Sequence, residues 1–175
     1  LGSCLADDMG LGKTVQMLAL ESMHRGVNPD AGPTLLLCPM SLVGNWQREA
    51  AKFAPDLRVY AHHGSARLHG DALRELLEQT DLIVSTYATA TRDIDELAGY
   101  EWKRVALDEA QAVKNSLSRA ARAVRRLRAG HRVALTGTPM ENRLAELWSI
   151  MDFLNPGLLG SSERFRTRYA IPIER

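Results

Sequence analysis

Short apolar segments alternate with longer amphipathic stretches along this 175-residue chain. Four of these segments are too short for helices and are bounded by polar or turn residues: Leu35–Leu37, Leu82–Val84, Val105–Leu107 and Val133–Leu135. This pattern is typical of parallel strands that are buried on both faces. Two further strands are expected at Ser3–Ala6 and Leu57–Ala61.

Helices are expected in the intervals between these strands. The stretches with helical character are Val15–Met23, Leu42–Phe53, Ala66–Leu77, Ser116–Leu127 and a segment after Met140. The alternation of strand and helix predicts an α/β fold, with a parallel sheet and helices on both of its faces. The length fits one compact domain, which we place at residues 1–156, and we expect residues 157–175 to form a helix that leaves it.

Composition and charge exclude several classes of protein. Hydrophobic residues make up 45% of the chain and charged residues 25%, which are ordinary values for a globular domain and exclude disordered, fibrous and coiled-coil classes. The 22 basic and 21 acidic residues leave a net charge of +1, which does not by itself indicate a nucleic-acid partner, although a local basic surface is compatible with it. The two cysteines are too few for a disulfide framework. No apolar run approaches the length of a membrane helix, so we expect no membrane partner.

Polar and glycine-rich segments follow the predicted strands at their carboxyl ends. These segments begin at Asp7, Cys38, Ser85, Asp108 and Thr136. In open α/β sheets, ligands bind at the carboxyl ends of the strands. We therefore expect the functional site to lie along this edge of the sheet.

The segment Gly10–Thr14 lies between a short strand and a helix and has the core of a phosphate-binding loop, Gly-x-Gly-Lys-Thr. Glycines let backbone N–H groups curve around phosphates, and the amino terminus of the following helix adds positive potential. Lys13 is then expected to reach the β- and γ-phosphates, and the Thr14 hydroxyl to bind Mg²⁺. Asp7 stands where the general pattern has glycine, so the assignment depends on the strand and the helix that flank the loop.

An acidic pair, Asp108 and Glu109, emerges from the end of the predicted strand Val105–Leu107. On its own, such a pair is more often the start of a solvated turn. Together with a phosphate-binding loop, it has the arrangement of a site that hydrolyses ATP, in which Asp108 holds Mg²⁺ directly or through water. Glu109 would orient and deprotonate the water that attacks the γ-phosphate.

Five ordered motifs resemble those of the SWI/SNF-type branch of superfamily two helicase-like ATPases. They span nearly the whole chain and are Leu5–Gln16, Cys38–Trp46, Asp108–Gln111, Leu135–Pro139 and Glu146–Trp148. The resemblance implies the first RecA-like lobe of an ATPase that translocates on double-stranded DNA and remodels or displaces DNA-bound proteins. It implies ATP and Mg²⁺ as cofactors. The implied partners are double-stranded DNA, DNA-bound proteins and a second RecA-like lobe.

Residue roles follow from the same resemblance, position by position. Catalysis is assigned to Lys13, Asp108, Glu109 and Gln111, and magnesium binding to Thr14 and Asp108. The residues implied to bind the nucleotide are Asp8, Met9, Gly10, Leu11, Gly12, Lys13 and Thr14. The residues implied to link the nucleotide to the DNA groove are Gln111, Thr136, Gly137 and Thr138. The DNA-facing segments are implied to contain Pro39, Ser41, His63, Gly64, Ser85, Thr86 and Tyr87.

Gln111 stands where many members of this family have histidine, and with the segment Asn155–Gly160 it makes the chain look most like prokaryotic members. A prokaryotic protein of this kind would be cytoplasmic and associated with the nucleoid, and a eukaryotic one nuclear. The chain starts at Leu1, and the adenine-reading segment and second lobe of the family have no counterpart in it, so we expect a fragment of a longer protein. The isolated chain is then expected to be nearly inactive, because the second lobe supplies an arginine finger.

Two other functions remain open on sequence grounds. One is a helicase that separates strands of DNA or RNA on the same fold, and the other is a nucleotide-dependent switch without turnover. Glu109 argues against the switch, because a protein that only binds nucleotide needs no water-activating carboxylate. A P-loop kinase for small molecules would need a lid and an acceptor pocket, for which the sequence has no signature.

Two further features favour packing or solvent exposure over contact with nucleic acid. Trp46, Trp102 and Trp148 are expected to be core residues rather than platforms for base stacking. The helix Ser116–Leu127 is amphipathic, which favours a surface helix with a solvated basic face. The arginines of that face are Arg122, Arg125 and Arg126.

Overall fold

The computed structural model describes residues 1–28, 31–140 and 143–174. Its strands are β1 (Ser3–Leu5), β2 (Thr34–Cys38), β3 (Val59–His62), β4 (Leu82–Thr86), β5 (Glu101–Asp108) and β6 (Arg128–Leu135). They form one six-stranded sheet in the order β1-β6-β5-β2-β4-β3, and every neighbouring pair is parallel. The predicted parallel sheet and its strands are therefore confirmed.

Helices connect the strands and cover both faces of the sheet. They are α1 (Lys13–Val27), α2 (Val43–Phe53), α3 (Gly70–Glu78), α4 (Tyr87–Arg92), α5 (Ile94–Leu97), α6 (Arg119–Arg126), α7 (Leu144–Leu154), α8 (Ser162–Phe165) and α9 (Ile171–Ile173). Short 3₁₀ turns lie at Met40–Leu42 and Ala110–Val113, and a π-helical turn lies at Arg166–Ala170. Within the described ranges, no helix is long and apolar enough to cross a bilayer.

Alternate residues of each strand pack on opposite faces of the sheet. Leu36 packs in the core beneath α1 and α2, whereas Leu35 packs in the core beneath α3 to α7. Because both faces are covered, successive strand positions are apolar, which explains the continuous apolar segments of the sequence. Trp46, Trp102 and Trp148 are all buried, which confirms their predicted role in packing.

A buried carboxylate fixes α1 against the sheet. Glu21 is fully buried, accepts a hydrogen bond from the Thr34 hydroxyl (2.9 Å) and forms salt bridges with Lys103 (2.7 Å) and Arg104. A buried charge is unfavourable unless it is paired and hydrogen-bonded. These partners, from the amino-terminal parts of β2 and β5, offset that cost and hold α1 beneath the loop that precedes it.

The helix that the sequence predicted from Ala66 begins later, at Gly70. The cause is Arg67, whose guanidinium donates two hydrogen bonds to the Asp93 carboxylate (2.6 and 2.8 Å) and one to the carbonyl of Gly64 (2.7 Å). These bonds hold the residues before Gly70 in a loop against the start of α5. Helical periodicity alone could not distinguish this loop from another turn of helix.

The helix predicted from Ser116 also begins later, at Arg119. The Ser118 hydroxyl accepts a hydrogen bond from the N–H of Ala121 (3.1 Å) and so caps the helix. The expectation of a solvated basic face is wrong for Arg125, which forms a salt bridge with Asp152 of α7 (2.9 Å). Its guanidinium joins α6 to α7 instead of facing solvent.

The tail after residue 156 returns to the domain instead of leaving it as a helix. Phe165 and Ala170 are buried, and the tail packs against α7. The N–H of Leu144, at the start of α7, donates to the Glu174 carboxylate (2.6 Å). The apolar residues of this segment explain why it packs on α7. The proposed boundary at residue 156 remains a prediction.

Candidate active site at the carboxyl edge of the sheet

The loop between β1 and α1 borders open space at this edge. Gly10 (φ 86°) and Gly12 (φ 74°) have left-handed conformations, which glycine adopts without strain. A Cβ atom at either position would meet nothing within 4 Å, so a ligand could approach the backbone closely. Gly12 caps α1 without a side-chain hydrogen bond, which leaves the first N–H groups of this 15-residue helix available to an anion.

Side chains from the first turns of α1 hold this loop. The Lys13 ammonium donates to the carbonyl oxygens of Asp7 (2.6 Å) and Asp8 (2.9 Å). Thr14 follows in the first turn and is half-buried. Gln16 donates to the carboxylate of Asp7 (3.4 Å), the residue that replaces the usual glycine. The departure from the general pattern therefore contributes a contact that braces the loop.

The end of β6 lies directly against the same loop. A Cβ atom at Gly137 would lie 3.4 Å from Cγ and 3.6 Å from the backbone N of Met9, which is van der Waals distance, so the two segments pack directly against each other. The Met9 and Leu11 side chains are 82% and 61% exposed, respectively. The predicted coupling segment and the predicted nucleotide loop are thus in contact.

Asp108 lies at the end of β5 and is buried, with 7% of its surface exposed. Its two carboxylate oxygens accept hydrogen bonds from different donors, the indole N–H of Trp46 (2.8 Å) and the backbone N–H of Glu109 (2.9 Å). Burial raises the pKa of Asp108, and the Trp46 hydrogen bond and the nearby Lys13 ammonium oppose this rise. The carboxylate is therefore held in one orientation next to the phosphate loop, and each oxygen keeps a lone pair for a cation or its bound water.

Glu109 has a left-handed backbone, with φ 50°, and no other non-glycine residue in the described part of the chain has positive φ. A conformation of this kind costs about 1–3 kcal/mol, and such residues cluster at active sites and switch regions. The Glu109 carboxylate accepts a hydrogen bond from the Gln111 amide (2.6 Å), whose oxygen accepts one from the Thr136 hydroxyl (2.8 Å). The N–H of Thr138 donates to that hydroxyl in turn (3.0 Å). A continuous row of hydrogen bonds thus joins Glu109 to the end of β6.

Four of the seven residues predicted to face DNA lie in the turns that follow β2 and β3 and are exposed or partly exposed. Ser41 and Gly64 are exposed, and Pro39 and His63 are partly exposed. They come from the turns that follow β2 and β3, at the same edge of the sheet as the phosphate loop. Their predicted contact with DNA remains a prediction.

The other three residues of that set have partners within the protein. The Ser85 side chain is fully buried and its hydroxyl donates to the His62 carbonyl (2.7 Å). Thr86 is also buried, and its hydroxyl oxygen accepts the N–H of Thr89 (3.0 Å) and caps α4. The Tyr87 hydroxyl points inward and donates to the backbone carbonyl of Asp108 (2.7 Å). In this structure, the side chains of Ser85 and Thr86 are not accessible to DNA, because the end of β4 is covered.

A cavity of about 660 Å³ lies at the opposite, amino-terminal edge of the sheet. Arg58 and Asp81 form a salt bridge there (2.8 Å), and Gly32 and Trp102 contribute to the lining. None of the residues that line this cavity belongs to the phosphate loop or to the acidic pair. Its size therefore does not make it the reactive site.

Sequence reasoning missed the contacts that Trp46 and Tyr87 make with Asp108. Trp46 is 62 positions away from Asp108 along the chain, and the pairing depends on how α2 packs beside β5. The one available signal was that Trp46 closes the motif Cys38–Trp46. That signal indicated family membership and did not indicate a partner for the indole N–H.

The parallel sheet, the glycine loop at the amino terminus of α1 and the acidic pair on a nearby strand define a RecA-like nucleotide-binding domain. The chain belongs to the SNF2-related domain family, which matches residues 1–175. The resemblance seen in the sequence is therefore confirmed.

Individual relatives agree with this assignment. YwqA of Bacillus subtilis (strain 168), named as a candidate ATP-dependent helicase/translocase, is 48% identical over 174 residues, which are 99% of this chain and 19% of YwqA. The TATA-binding protein-associated factor MOT1 of Saccharomyces cerevisiae is 40% identical over 184 residues, covering 99% of this chain and 10% of MOT1. The Sulfolobus solfataricus SWI2/SNF2 ATPase core in complex with dsDNA has a TM-score of 0.87 and 46% identity, covering 99% of this chain and 35% of that one. The chain thus spans about a fifth or less of the length of these two curated relatives.

Proposed function

We propose that this chain is the first ATPase lobe of a DNA-dependent ATPase that translocates on double-stranded DNA and remodels or displaces DNA-bound proteins. The observation that carries the proposal is the row of hydrogen bonds Glu109–Gln111–Thr136, beside the phosphate loop. A residue that activates water needs a fixed orientation, and here that orientation depends on the end of another strand. This arrangement suits an enzyme whose turnover responds to a second ligand.

The residues at this edge fit ATP and Mg²⁺. Gly10 and Gly12 leave open space beside uncapped N–H groups, and the Lys13 ammonium lies over the same loop. The Thr14 hydroxyl and the Asp108 carboxylate would hold Mg²⁺, whose charge would help neutralise the phosphates. Backbone N–H groups and Lys13 would hold the β- and γ-phosphates.

Glu109 would act as the general base. Its carboxylate would accept a proton from the attacking water, while the Gln111 amide holds it in place. Lys13 covers only one side of the charge that develops on the transferred phosphoryl group, and an arginine from a second lobe would meet the rest. The second RecA-like lobe is therefore a proposed partner, and the isolated chain is proposed to be nearly inactive.

Double-stranded DNA is the proposed nucleic-acid partner. Ser41 and Gly64 are exposed at the edge where DNA would approach the nucleotide site. The similar Sulfolobus ATPase core was solved with dsDNA, and YwqA carries the word translocase in its name. MOT1 is named as a TATA-binding protein-associated factor, which supports DNA-bound proteins as targets. A cytoplasmic, nucleoid-associated location in a prokaryote, or a nuclear one in a eukaryote, follows from this proposal.

ATP turnover by the full-length protein tests the proposal when it is compared without nucleic acid and with single-stranded DNA, duplex DNA and RNA. We expect duplex DNA to stimulate turnover most. Displacement of a third strand from a triplex, without separation of the duplex, would support translocation. Separation of the strands would favour the helicase alternative, and nucleotide binding with no turnover under any condition would favour the switch.

A further inference from the structure

Asp108 is held by two aromatic side chains that come from different helices. Trp46, in the first turn of α2, donates its indole N–H to the carboxylate (2.8 Å). Tyr87, the first residue of α4, donates its hydroxyl to the backbone carbonyl (2.7 Å). The helix α2 follows residues 39–41, a segment predicted to face DNA that includes the exposed Ser41, whereas Ser85 and Thr86 before α4 are buried.

Packing alone does not explain the bond from Trp46. The other two tryptophans of the chain donate their indole N–H groups to backbone carbonyls, Trp102 to Leu97 (2.9 Å) and Trp148 to Gly160 (3.1 Å). A buried indole can therefore be satisfied in this fold without a carboxylate. Trp46 instead donates to the side chain proposed to hold Mg²⁺.

The contact between Trp46 and Asp108 is dry. Trp46 is 0% exposed and Asp108 is 7% exposed, so water cannot readily replace the bond if one partner moves. Closely packed helices move as rigid units, because core side chains have little free volume. A displacement at the start of α2 must therefore either reorient the Asp108 carboxylate or break this bond.

We propose that Trp46 and Tyr87 are positioning residues: Trp46 couples DNA contact at the start of α2 to the orientation of Asp108, and Tyr87 supports this coupling by holding the Asp108 backbone. This inference rests on the proposed function. The row through Gln111 ends on Glu109, so the two carboxylates respond to DNA through different elements of the fold. Trp46 acts on the Asp108 side chain, and Tyr87 acts on the backbone beneath it.

The coupling can be measured as binding, without turnover. In the full-length protein, the affinity for a fluorescent, non-hydrolysable ATP analogue is measured with Mg²⁺, in the presence and absence of saturating duplex DNA. The ratio of the two affinities is the coupling factor. The affinity of duplex DNA with and without the analogue must give the same factor, which provides an internal check.

Trp46→Phe removes the N–H and keeps an aromatic ring. We expect the coupling factor of this variant to be closer to 1 than that of the parent protein. The expected difference is about fivefold or more, since fivefold is the lower end of typical couplings. The affinity for the analogue without Mg²⁺ should be unchanged. Tyr87→Phe removes one hydroxyl without altering the packing and should shift the coupling factor in the same direction. This variant tests the proposed coupling even if Trp46→Phe does not fold.

Two matched variants control for lost packing and lost hydrogen bonds elsewhere. Trp102→Phe removes an indole that bonds to Leu97, and Tyr60→Phe removes a hydroxyl that accepts the N–H of Leu68 (3.1 Å). Both should keep the coupling factor of the parent protein. The ratio of DNA-stimulated to basal kcat should likewise fall in Trp46→Phe and Tyr87→Phe and stay at the parent value in Trp102→Phe and Tyr60→Phe.

An unchanged factor in Tyr87→Phe and in any folded Trp46→Phe protein would overturn the inference while leaving the proposed function intact. An equal fall in Trp102→Phe and Tyr60→Phe would also overturn it, because the effect would then come from general loss of packing. If the parent protein shows neither coupling nor DNA-stimulated hydrolysis, the proposed function fails, and this inference fails with it.

Discussion

Glu109→Gln separates chemistry from binding at the proposed site. The amide has the size of the carboxylate and can present its oxygen to the Gln111 amide, which now lies 2.6 Å from Glu109. The left-handed backbone at this position is unaffected by the exchange. The charge-assisted hydrogen bond becomes a neutral one, so we expect the free energy of unfolding to change by no more than about 1 kcal/mol.

The expected kinetic loss is much larger than this change in stability. A general base contributes about 10²–10⁴ in rate, which corresponds to about 2.7–5.5 kcal/mol in the activation free energy. Binding of ATP should be preserved, because the phosphate contacts come from the loop and from Lys13. Single-turnover hydrolysis by the full-length protein with saturating duplex DNA, together with binding of a fluorescent ATP analogue, measures both quantities.

Two further variants serve as comparisons for Glu109→Gln. Lys13→Ala removes a phosphate contact and should weaken nucleotide binding itself. Glu96→Gln changes a carboxylate that accepts the N–H of Gly70 (2.6 Å), away from the acidic pair, and should leave hydrolysis at the parent rate. If Glu109→Gln hydrolysed ATP at the parent rate, the assignment of the general base would be wrong.

Three other outcomes are expected from the same structure. Gln111→Ala breaks the row between Glu109 and β6, so DNA stimulation of turnover should fall by about fivefold or more with ATP affinity unchanged, and an unaltered stimulation would remove the row from the mechanism. The hydrogen bonds from Arg67 hold the pKa of Asp93 below its ordinary value, so this pair stabilises the fold above about pH 4 and loses that contribution as the pH falls through the lowered pKa. Asp93→Asn should therefore be less stable at pH 7 and show a flatter dependence of the unfolding free energy below about pH 4, measured by urea denaturation; an unchanged dependence would exclude the pair as its source. Residues 1–175 alone should unfold cooperatively on heating and show negligible ATPase activity, which calorimetry and a phosphate-release assay would check; robust DNA-stimulated hydrolysis would contradict the need for a second lobe.

Local sequence was sufficient to predict the strands, the phosphate loop and the acidic pair. The apolar segments around Leu36 and Ala106 must be buried wherever they occur, and they recur at the spacing of strands linked by helices. The glycines at positions 10 and 12 adopt a left-handed backbone without strain, and this tolerance is a local property as well. These features depend on residues close together in the chain, which is why their pattern could be interpreted without coordinates.

Helix boundaries and the path of the tail depended on contacts between distant residues. Arg67 donates hydrogen bonds to Asp93, 26 positions away, and these bonds delay the start of α3. Arg125 forms a salt bridge with Asp152, although helical periodicity placed its side chain on the solvent-exposed face of the helix. Phe165 is buried and returns the tail to α7. A periodic pattern shows that a side chain is apolar or charged and does not indicate which partner it meets.

The sequence by itself determined the class of fold, the family and the residue types at the carboxyl edge, because each of these depends on short segments in a fixed order. Only the tertiary structure decided how those residues are joined. It placed the Trp46 indole on Asp108 across 62 positions, strained the backbone at Glu109, and linked that residue through Gln111 to Thr136. Hydrogen bonds of this kind require two groups at the right distance and angle, and such geometry arises only when β5, β6 and α2 are packed together.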